Sequence, residues 1–327
     1  MKKIVAIVLS ALLLCTSVFA LSACDGRIRI AVLQFAQHGS LDNCYEGIVR
    51  GLSERGYTEE NANITRHIAN GDSSENTAAA QNIINASPAV AVGIATPSAY
   101  ALANFARGDV PVVFTAVSDP IAESADFSVF ENVTGSSDRL PVEQQLQLIR
   151  DFFDAKGETG TVTVGIVFTL TEANSVSQIA QFEAAGADYG VEIVTEGITN
   201  ATELVSAAES LIGDGVDCFN NLTDNTVVQN LDILLDRADG AGIPVFGSEV
   251  EQVRKGCLAS CSLDYEELGR RTGLMIADIL EGKDPYDIDY LYIEDGYTVD
   301  YNSDVLEAFG FTLPTGEDYQ GANDVKA

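Results

Sequence analysis

The chain has 327 residues, of which 46% are hydrophobic and 20% are charged, and its net charge at pH 7 is −31. This composition is that of a globular protein, and the length suggests two domains. Strong acidity without a basic patch repels nucleic acid and anionic lipid headgroups, so the composition excludes a nucleic-acid-binding role.

The N-terminus has the pattern of a bacterial export signal. Two lysines follow Met1, an apolar stretch covers residues 4–20, and the sequence Leu-Ser-Ala-Cys ends at Cys24. A charged start, a short apolar stretch and small residues before a cleavage site are typical of a secretory signal. A retained membrane helix is the alternative, but this stretch is shorter than the roughly 20 residues that a bilayer requires. Leu-Ser-Ala-Cys resembles the bacterial lipobox. We therefore predict a signal peptide over residues 1–23 and a lipid anchor on Cys24, with the protein exported to the outer face of the cytoplasmic membrane.

Apolar strands alternate with amphipathic helices in the first half of the remaining chain. We predict strands at 27–35, 62–70, 89–95 and 110–117, and helices at 41–57, 73–87 and about 98–107. Apolar runs separated by amphipathic helices indicate a parallel sheet covered by helices on both faces.

The same order recurs about 130 residues later. We predict strands at 161–168, 191–197, 216–222, 243–249 and 253–263, and helices at 173–189, 202–213, 226–241 and 264–282. The stretch 118–141 and the tail carry the chain between the halves. The fold class is therefore α/β, with two Rossmann-like lobes joined by a multi-strand hinge around a cleft. We assign residues 24–140 and about 264–290 to the N-terminal lobe, and 141–263 and about 291–327 to the C-terminal lobe.

Cysteine and histidine content gives no sign of a disulfide scaffold or a metal site. Cys257 and Cys261 fall in one predicted strand, where four residues span about 13 Å, whereas bridged Cα atoms lie within roughly 7 Å. We expect buried thiols there, and we leave open whether Cys44 or Cys218 forms a disulfide. His38 and His67 are the only histidines and lie in no ligand-spaced cluster, so no metal or cofactor is expected.

Polar side chains follow most of the predicted strands. Ligands of open parallel sheets bind beyond the carboxyl ends of the strands. The resulting candidates for ligand contact are Gln34, Phe35, His38, Thr96, Ser98, Thr115, Asp119, Asn174, Ser175, Asp224, Asn225 and Glu249. The alternative for residues such as Ser98, Ser175 and Asn225 is helix N-capping, which stabilises a helix by about 1 kcal/mol.

The chemistry of this set favours a zwitterionic ligand. Helix N-termini attract a carboxylate, and Asp119, Asp224 or Glu249 could hold an ammonium group. The set contains no lysine or arginine, and its acidity argues against phosphate or sulfate. Phe35 and His38 could line a pocket for an apolar side chain.

Seven segments together resemble one known family. They are "IATPSAYALAN", "VPVVFTAVSDP", "NVTGSSD", "EANSVSQ", "TDNTVV", "IPVFGSE" and "DYEELGRRTGLMIADILEGKDP", and they cover about residues 28 to 315. The chain is similar to the ABC-transporter substrate-binding lipoproteins of the tryptophan/tyrosine-uptake type, a branch of the type I periplasmic-binding-protein fold. The resemblance implies two lobes that close on one small ligand, often an aromatic amino acid, and deliver it to an ABC permease.

The resemblance also places nine of the candidate residues on the cleft loops of the family: Thr96, Ser98, Thr115, Asp119, Asn174, Ser175, Asp224, Asn225 and Glu249. Where many members have Ser-Asp or Ser-Glu-Glu after the "PVF" strand, this chain has Ser248-Glu249-Val250. The acid is retained at residue 249, but its role does not follow from the family pattern.

Other functions are less well supported. The glycine-rich nucleotide motifs and the Gly-x-Ser-x-Gly motif of hydrolases are absent from the sequence, so we expect no enzymatic activity. A sugar- or nucleoside-binding protein of the same fold is the closer alternative, although the chain has no tryptophan for an aromatic platform. A surface sensor or adhesin lipoprotein also stays open. We expect a monomer.

Overall fold

The computed structural model describes residues 26–293 and 296–326. The predicted signal peptide and Cys24 lie outside the described residues. In the residues that are described, no helix is both long enough and apolar enough to cross a bilayer.

The first lobe is built on a six-stranded parallel sheet. In spatial order its strands are β13 (Leu291–Tyr292), β7 (Val133–Ser137), β4 (Val112–Thr115), β3 (Val90–Ile94), β1 (Ile28–Gln34) and β2 (Ala62–Ile68). Its helices are α1 (Gly39–Glu54), α2 (Ser73–Asn85), α3 (Thr96–Ala106) and α10 (Tyr265–Leu280). The apolar runs of β3 and β4 are buried on both faces, as a sheet covered by helices requires.

The second lobe repeats this arrangement around a four-stranded parallel sheet. In spatial order its strands are β11 (Val245–Phe246), β10 (Cys218–Asn220), β8 (Val162–Thr169) and β9 (Val191–Ile198). Its helices are α4 (Val142–Ala155), α5 (Ala173–Ala185), α6 (Leu204–Asp214), α7 (Asn225–Gln229), α8 (Leu231–Ala241), α9 (Val250–Lys255) and α11 (Ser303–Phe309).

Two small sheets complete the described structure. A short hairpin of β5 (Ile121–Ala122) and β6 (Ala125–Asp126) follows β4. In the second lobe, β14 (Thr298–Tyr301) pairs antiparallel with β12 (Ala259–Ser262) and parallel with β15 (Asn323–Asp324). The chain crosses between the lobes after β7, between β12 and α10, and between β13 and β14. The predicted boundary at about residue 290 thus falls just before β13, which still belongs to the first sheet.

Two parts of the predicted element order are wrong. Only residues 259–262 of the predicted strand 253–263 form a strand, β12, because residues 253–255 are the end of helix α9 and Gly256, with φ +130°, terminates that helix. The predicted helix 226–241 is two helices, α7 and α8, that meet at Asn230. The expectation of buried thiols is confirmed, since Cys257 and Cys261 are free and buried.

Candidate ligand-binding site

Buried side chains from the strand ends of the two lobes hydrogen-bond across the cleft. Gln178 Nε2, on α5, donates to Ser118 Oγ at 2.9 Å and also to Thr223 Oγ1. The hydroxyl oxygens of Ser118, which follows β4, and Thr223, which follows β10, lie 3.3 Å apart. All three residues are buried, so the lobes are closed at this point.

Two acidic side chains from the predicted set also bridge the lobes. Asp119 Oδ2 accepts a hydrogen bond from Ser177 Oγ at 2.7 Å, and Asp119 Oδ1 lies 3.3 Å from an Arg139 guanidinium nitrogen. Glu249, directly before α9, accepts a hydrogen bond from Ser40 Oγ in the first turn of α1. Asp119 and Arg139 both belong to the first lobe, so their ion pair does not join the lobes. Among the described residues, the polar contacts between these parts of the two lobes are hydrogen bonds.

His38 and Asn225 face each other across the same cleft. Burial lowers the pKa of His38 from 6.5 to about 4, against a smaller opposing effect of the Asn225 side chain. The imidazole is therefore neutral at pH 7 and offers one donor and one acceptor. Its Nδ1 atom is buried and has no hydrogen-bond partner in the described part of the chain.

Helices α1, α3 and α5 begin at the cleft without a side-chain N-cap. The capping alternative for Ser98, Ser175 and Asn225 is wrong, because none of them occupies an N-cap position. Asp224 is the candidate that does cap a helix, since its side chain accepts from Val227 N at the start of α7. The uncapped helix ends leave backbone N–H groups free to bind an anion.

The turn before α3 is strained and presents a buried hydroxyl group. Ala95 has φ +75° and ψ +151°, a conformation that residues other than glycine rarely adopt. The next residue, Thr96, is buried, and its Oγ1 atom has no partner in the described part of the chain. Backbone strain of this kind concentrates at binding sites, where it fixes the position of a functional group.

Two buried carboxylates hold the N-terminus of α7. Asp224 accepts from four donors: Thr169 N, Thr169 Oγ1, Ser175 Oγ and Val227 N. Glu172 accepts from the backbone N–H groups of Asn225 and Thr226, each at 3.0 Å. Burial, followed by repulsion from Asp224, raises the pKa of Glu172 to about 7. Because its donors already come from the protein, Asp224 positions this loop and has little capacity left for a ligand ammonium group.

Three further residues of the predicted set are engaged inside the first lobe. Gln34 donates to Ala36 O and Asp42 Oδ1 and accepts from Arg66 Nε. Ser98 Oγ donates to Asn76 Oδ1 at 2.6 Å. Thr115 Oγ1 accepts from Ser136 Oγ at 2.9 Å in a buried hydroxyl cluster beneath the sheet end. The structure does not bring these three side chains together with the residues that bridge the cleft.

The remaining predicted residues lie at the cleft. Phe35 is buried and lines a cavity of about 220 Å³ at the cleft edge, which Pro97 and Thr171 also line. Asn174 Nδ2 donates to Thr223 O at 3.0 Å, and its Oδ1 atom has no partner in the described residues.

The sequence analysis missed several residues that bridge or line the cleft: Ser40, Ser118, Asp138, Gln178, Asn221, Thr223 and Tyr265. Five of them lie in quoted family segments: Asp138 ends "NVTGSSD", Gln178 ends "EANSVSQ", Ser118 lies in "VPVVFTAVSDP", Thr223 begins "TDNTVV", and Tyr265 is the second residue of "DYEELGRRTGLMIADILEGKDP". The family segments and, for Ser118 and Thr223, the position at a strand end therefore pointed to these residues, but they were not chosen as ligand contacts.

Lowering the pH from 8 to 5.5 should raise the melting temperature of the ligand-free protein, and Glu249→Gln should reduce this rise. Burial raises the pKa of Glu249 from 4.5 to about 7, and Asp138 adds a smaller repulsive effect. The folded state thus binds a proton more tightly than the unfolded chain. The stabilisation is fully present below about pH 4.5 and is lost as the pH rises through 7.

Calorimetric melting of both proteins at several pH values between 5.5 and 8 measures this effect. Acidification also reduces self-repulsion in this acidic chain, and the variant serves as the control for that general effect. The same pH slope in both proteins would contradict the assignment.

Comparison with known proteins identifies a family. The family model described as "ABC transporter substrate binding protein" matches residues 29–314. A tyrosine-binding protein of Clostridioides difficile is 30% identical over 283 residues, covering 85% of this chain and 80% of the relative. Both matches span most of the two lobes.

Two solved structures compare a ligand complex with an open, ligand-free form. A Streptococcus pneumoniae ABC domain in complex with L-Trp matches with a TM-score of 0.84 at 29% identity, covering 92% of this chain and 100% of that one. The ligand-free, open structure of a substrate-binding protein with adhesive properties from Clostridium difficile matches with a TM-score of 0.66 at 30% identity, covering 92% and 99%. Because identity and coverage are nearly equal, the higher score indicates that the lobes here are arranged as in the complex. The predicted fold class, two α/β lobes of the type I periplasmic-binding-protein kind, is confirmed.

Proposed function

The chain belongs to the ABC transporter substrate-binding protein family, and from this premise we propose that it captures a free amino acid in the cleft by closure of its lobes. Proteins of this family act outside the cytoplasm and pass a small molecule to an ABC permease. We propose that the ligand is a zwitterion with an aromatic or other apolar side chain, and that the protein is a monomer without enzymatic activity.

The observation that carries this proposal is a set of buried polar atoms without partners at the closed cleft. In the described residues these include His38 Nδ1 and Thr96 Oγ1 from the first lobe, and Asn174 Oδ1, Gln178 Oε1 and both amide atoms of Asn221 from the second. An unpaired buried polar group destabilises a protein by about 1–3 kcal/mol. A small ligand with several donors and acceptors would pair such atoms from both lobes and would thereby favour closure.

The helix ends support a carboxylate as one end of the ligand. The N-termini of α3 and α5 are uncapped, and Thr96 Oγ1 adds a hydroxyl donor beside the first of them. We propose that the carboxylate binds there, by backbone N–H groups and the Thr96 hydroxyl, without a basic side chain.

The ligand side chain is proposed from the relatives and from the cleft edge. The two relatives named for a ligand bind tyrosine and tryptophan. Phe35 and Pro97 supply apolar surface to the cavity at the cleft edge, against which an aromatic ring can pack. Sugar- or nucleoside-binding is the alternative, and the screen below separates it from amino-acid binding.

Saturating L-tryptophan, L-tyrosine or L-phenylalanine should raise the melting temperature of the full chain, purified in mild detergent, by several degrees. A ligand at 100 times its dissociation constant adds about 2.7 kcal/mol to the free energy of unfolding. Calorimetry with these amino acids, and with glucose and adenosine as controls, tests this. A shift with glucose or adenosine alone would overturn the proposed ligand class.

Export and lipid anchoring stand as further proposals on the sequence pattern alone. We propose that residues 1–23 are removed and that Cys24 carries lipid on the outer face of the membrane. Mass spectrometry of the mature N-terminus tests both points, since an unmodified Cys24 or an intact signal would contradict them.

A further inference from the structure

Two buried carboxyl groups, one from each lobe, lie around the same tyrosine, Tyr265, at the cleft. Asp138 follows β7 in the first lobe and is 3% exposed, and Glu249 precedes α9 in the second lobe and is 1% exposed. Burial is the main cause of the raised pKa of their shared neighbour, the Tyr265 hydroxyl, and both carboxyl groups raise it further. Burial likewise raises the pKa of Glu249, and repulsion from Asp138 adds to it.

The hydrogen bonds of Asp138 leave one carboxyl oxygen open. Tyr265 Oη, at the start of α10, donates to Asp138 Oδ2 at 2.9 Å. Asp138 Oδ1 is buried and has no hydrogen-bond partner in the described part of the chain. Tyr265 therefore fixes the orientation of this carboxyl group and leaves Oδ1 free to accept.

No positively charged side chain in the described part of the chain forms an ion pair with either of these two carboxyl groups. The ion pairs of the described residues include neither Asp138 nor Glu249. Burial without a counter-charge raises the pKa of both carboxyl groups. A buried acid that lacks a cation is strongly destabilising unless it is protonated or receives one from outside the chain.

The other acids at the cleft are already satisfied. Asp224 accepts from four protein donors. Asp119 is paired with Arg139 and bonded to Ser177, and its side chain is 17% exposed. Among the acids at the cleft in the described part of the chain, Asp138 thus combines deep burial with a free acceptor atom.

We propose that Asp138 Oδ1 accepts the primary ammonium group of the ligand, with Glu249 as the second carboxylate beside it. This inference rests on the proposed function and narrows it: the ligand class is a primary amine with a free carboxylate, and analogues without the ammonium group are rejected. A site built to bind a charged donor rejects an analogue that lacks this donor by orders of magnitude, because its own buried acceptors then stay unpaired.

The test compares L-tryptophan with indole-3-propanoate, which keeps the ring and the carboxylate but lacks the ammonium group. The chain contains no tryptophan, so the fluorescence anisotropy of either indole ligand reports its own binding to the full-length protein in mild detergent. L-Tyrosine and its des-amino analogue, followed by calorimetry, serve as the second pair. We expect the wild-type protein to prefer the amino acid by more than a hundredfold.

Asp138→Asn should weaken binding of the amino acid by at least a hundredfold and leave binding of the des-amino analogue unchanged or stronger. The amide keeps an acceptor for Tyr265 and removes one buried charge, so the melting temperature of the ligand-free variant should be equal to or above that of the wild type. Asp119→Asn is the matched control: it removes a bridging acid and should weaken both ligands by the same factor.

Three outcomes would overturn the inference. Equal loss of both ligands in Asp138→Asn would give Asp138 a role in closure only, and unchanged amino-acid binding would remove it from the site. Wild-type protein that binds no amino acid in the screen would overturn the proposed function together with this inference, which distinguishes that failure from the other two.

Discussion

Gly269→Ala should lower the melting temperature of the ligand-free protein by roughly 6–12 °C, which corresponds to about 3 kcal/mol. Helices α1 and α10 of the first lobe approach each other backbone to backbone at four glycines: Gly47, Gly51, Gly269 and Gly273. A methyl group at Gly269 would overlap the carbonyl oxygen of Cys44 on α1. A backbone oxygen cannot rotate away as a side chain can, so the two helices would have to separate.

Two glycines elsewhere in helices give the control for this effect. Gly213 in α6 and Gly240 in α8 have no atom within 4 Å of an added methyl group. Alanine there gains up to about 1 kcal/mol of helix propensity, so both variants should melt at or above the wild-type temperature. Thermal unfolding followed by circular dichroism measures all three proteins. A melting temperature for Gly269→Ala within about 2 °C of the wild type would contradict the close packing.

The glycine contact, rather than the ion pairs that flank it, fixes this helix pair. Arg55 pairs with Asp278 at 2.8 Å and Arg270 pairs with Glu54 at 2.9 Å, but exposed pairs of this kind contribute about 0–1 kcal/mol each. The packing matters for the site because α10 begins with Tyr265, which orients Asp138. Separation of the helices should therefore weaken ligand binding as well as lower stability.

Apolar runs in the sequence were sufficient to predict most of the fold. Strand β3 is a continuous apolar stretch and β1 and β8 are mostly apolar, and the predicted bounds of all three agree with the structure within one or two residues. Strand β7 was not predicted because Thr134, Ser136 and Ser137 break the apolar pattern. Its hydroxyl groups are buried nevertheless, and they can be because they have hydrogen-bond partners: Ser136, for example, bonds to Thr115 and Thr272. A polar strand in a core can be recognised only when its partners are known, and these lie on distant segments.

The site was less accessible from sequence, because the role of each polar residue depends on partners far along the chain. Asp224 and Glu249 have the same strand-end position and the same charge type. The structure separates them: Asp224 receives donors from its own lobe, whereas Glu249 meets Ser40 of the other lobe. Thr115 lies at the end of strand β4, as a ligand-binding residue would, yet its side chain points into the first lobe toward Cys44 and Ser136.

Gly39→Ala should weaken ligand affinity by roughly tenfold or more while leaving the secondary structure of the ligand-free protein, measured by circular dichroism, unchanged. Gly39 is the first residue of α1, and in the closed lobes it packs against α9 of the other lobe. A methyl group there would lie 2.6 Å from Cγ and 3.1 Å from Cβ of Glu251. Overpacking costs about 1–3 kcal/mol, and each 1.4 kcal/mol is a tenfold change in affinity. Alanine is otherwise compatible with a helix start, so the cost falls on closure alone.

Glu251→Ala provides the matched partner for this experiment. It removes Cγ and Cδ, the two Glu251 atoms closest to the new methyl group, keeps Cβ, and gives up two weak contacts, with Asn43 at 3.3 Å and with Arg254. Alone it should change affinity by less than about threefold, as expected for a partly exposed pair. In the double variant the affinity lost in Gly39→Ala should return, and calorimetric titration with the amino acid identified in the screen measures the coupling. If the double variant binds as weakly as Gly39→Ala, then α1 does not meet α9 in the bound state, and the closure geometry derived from Ser40 and Glu249 would be wrong as well.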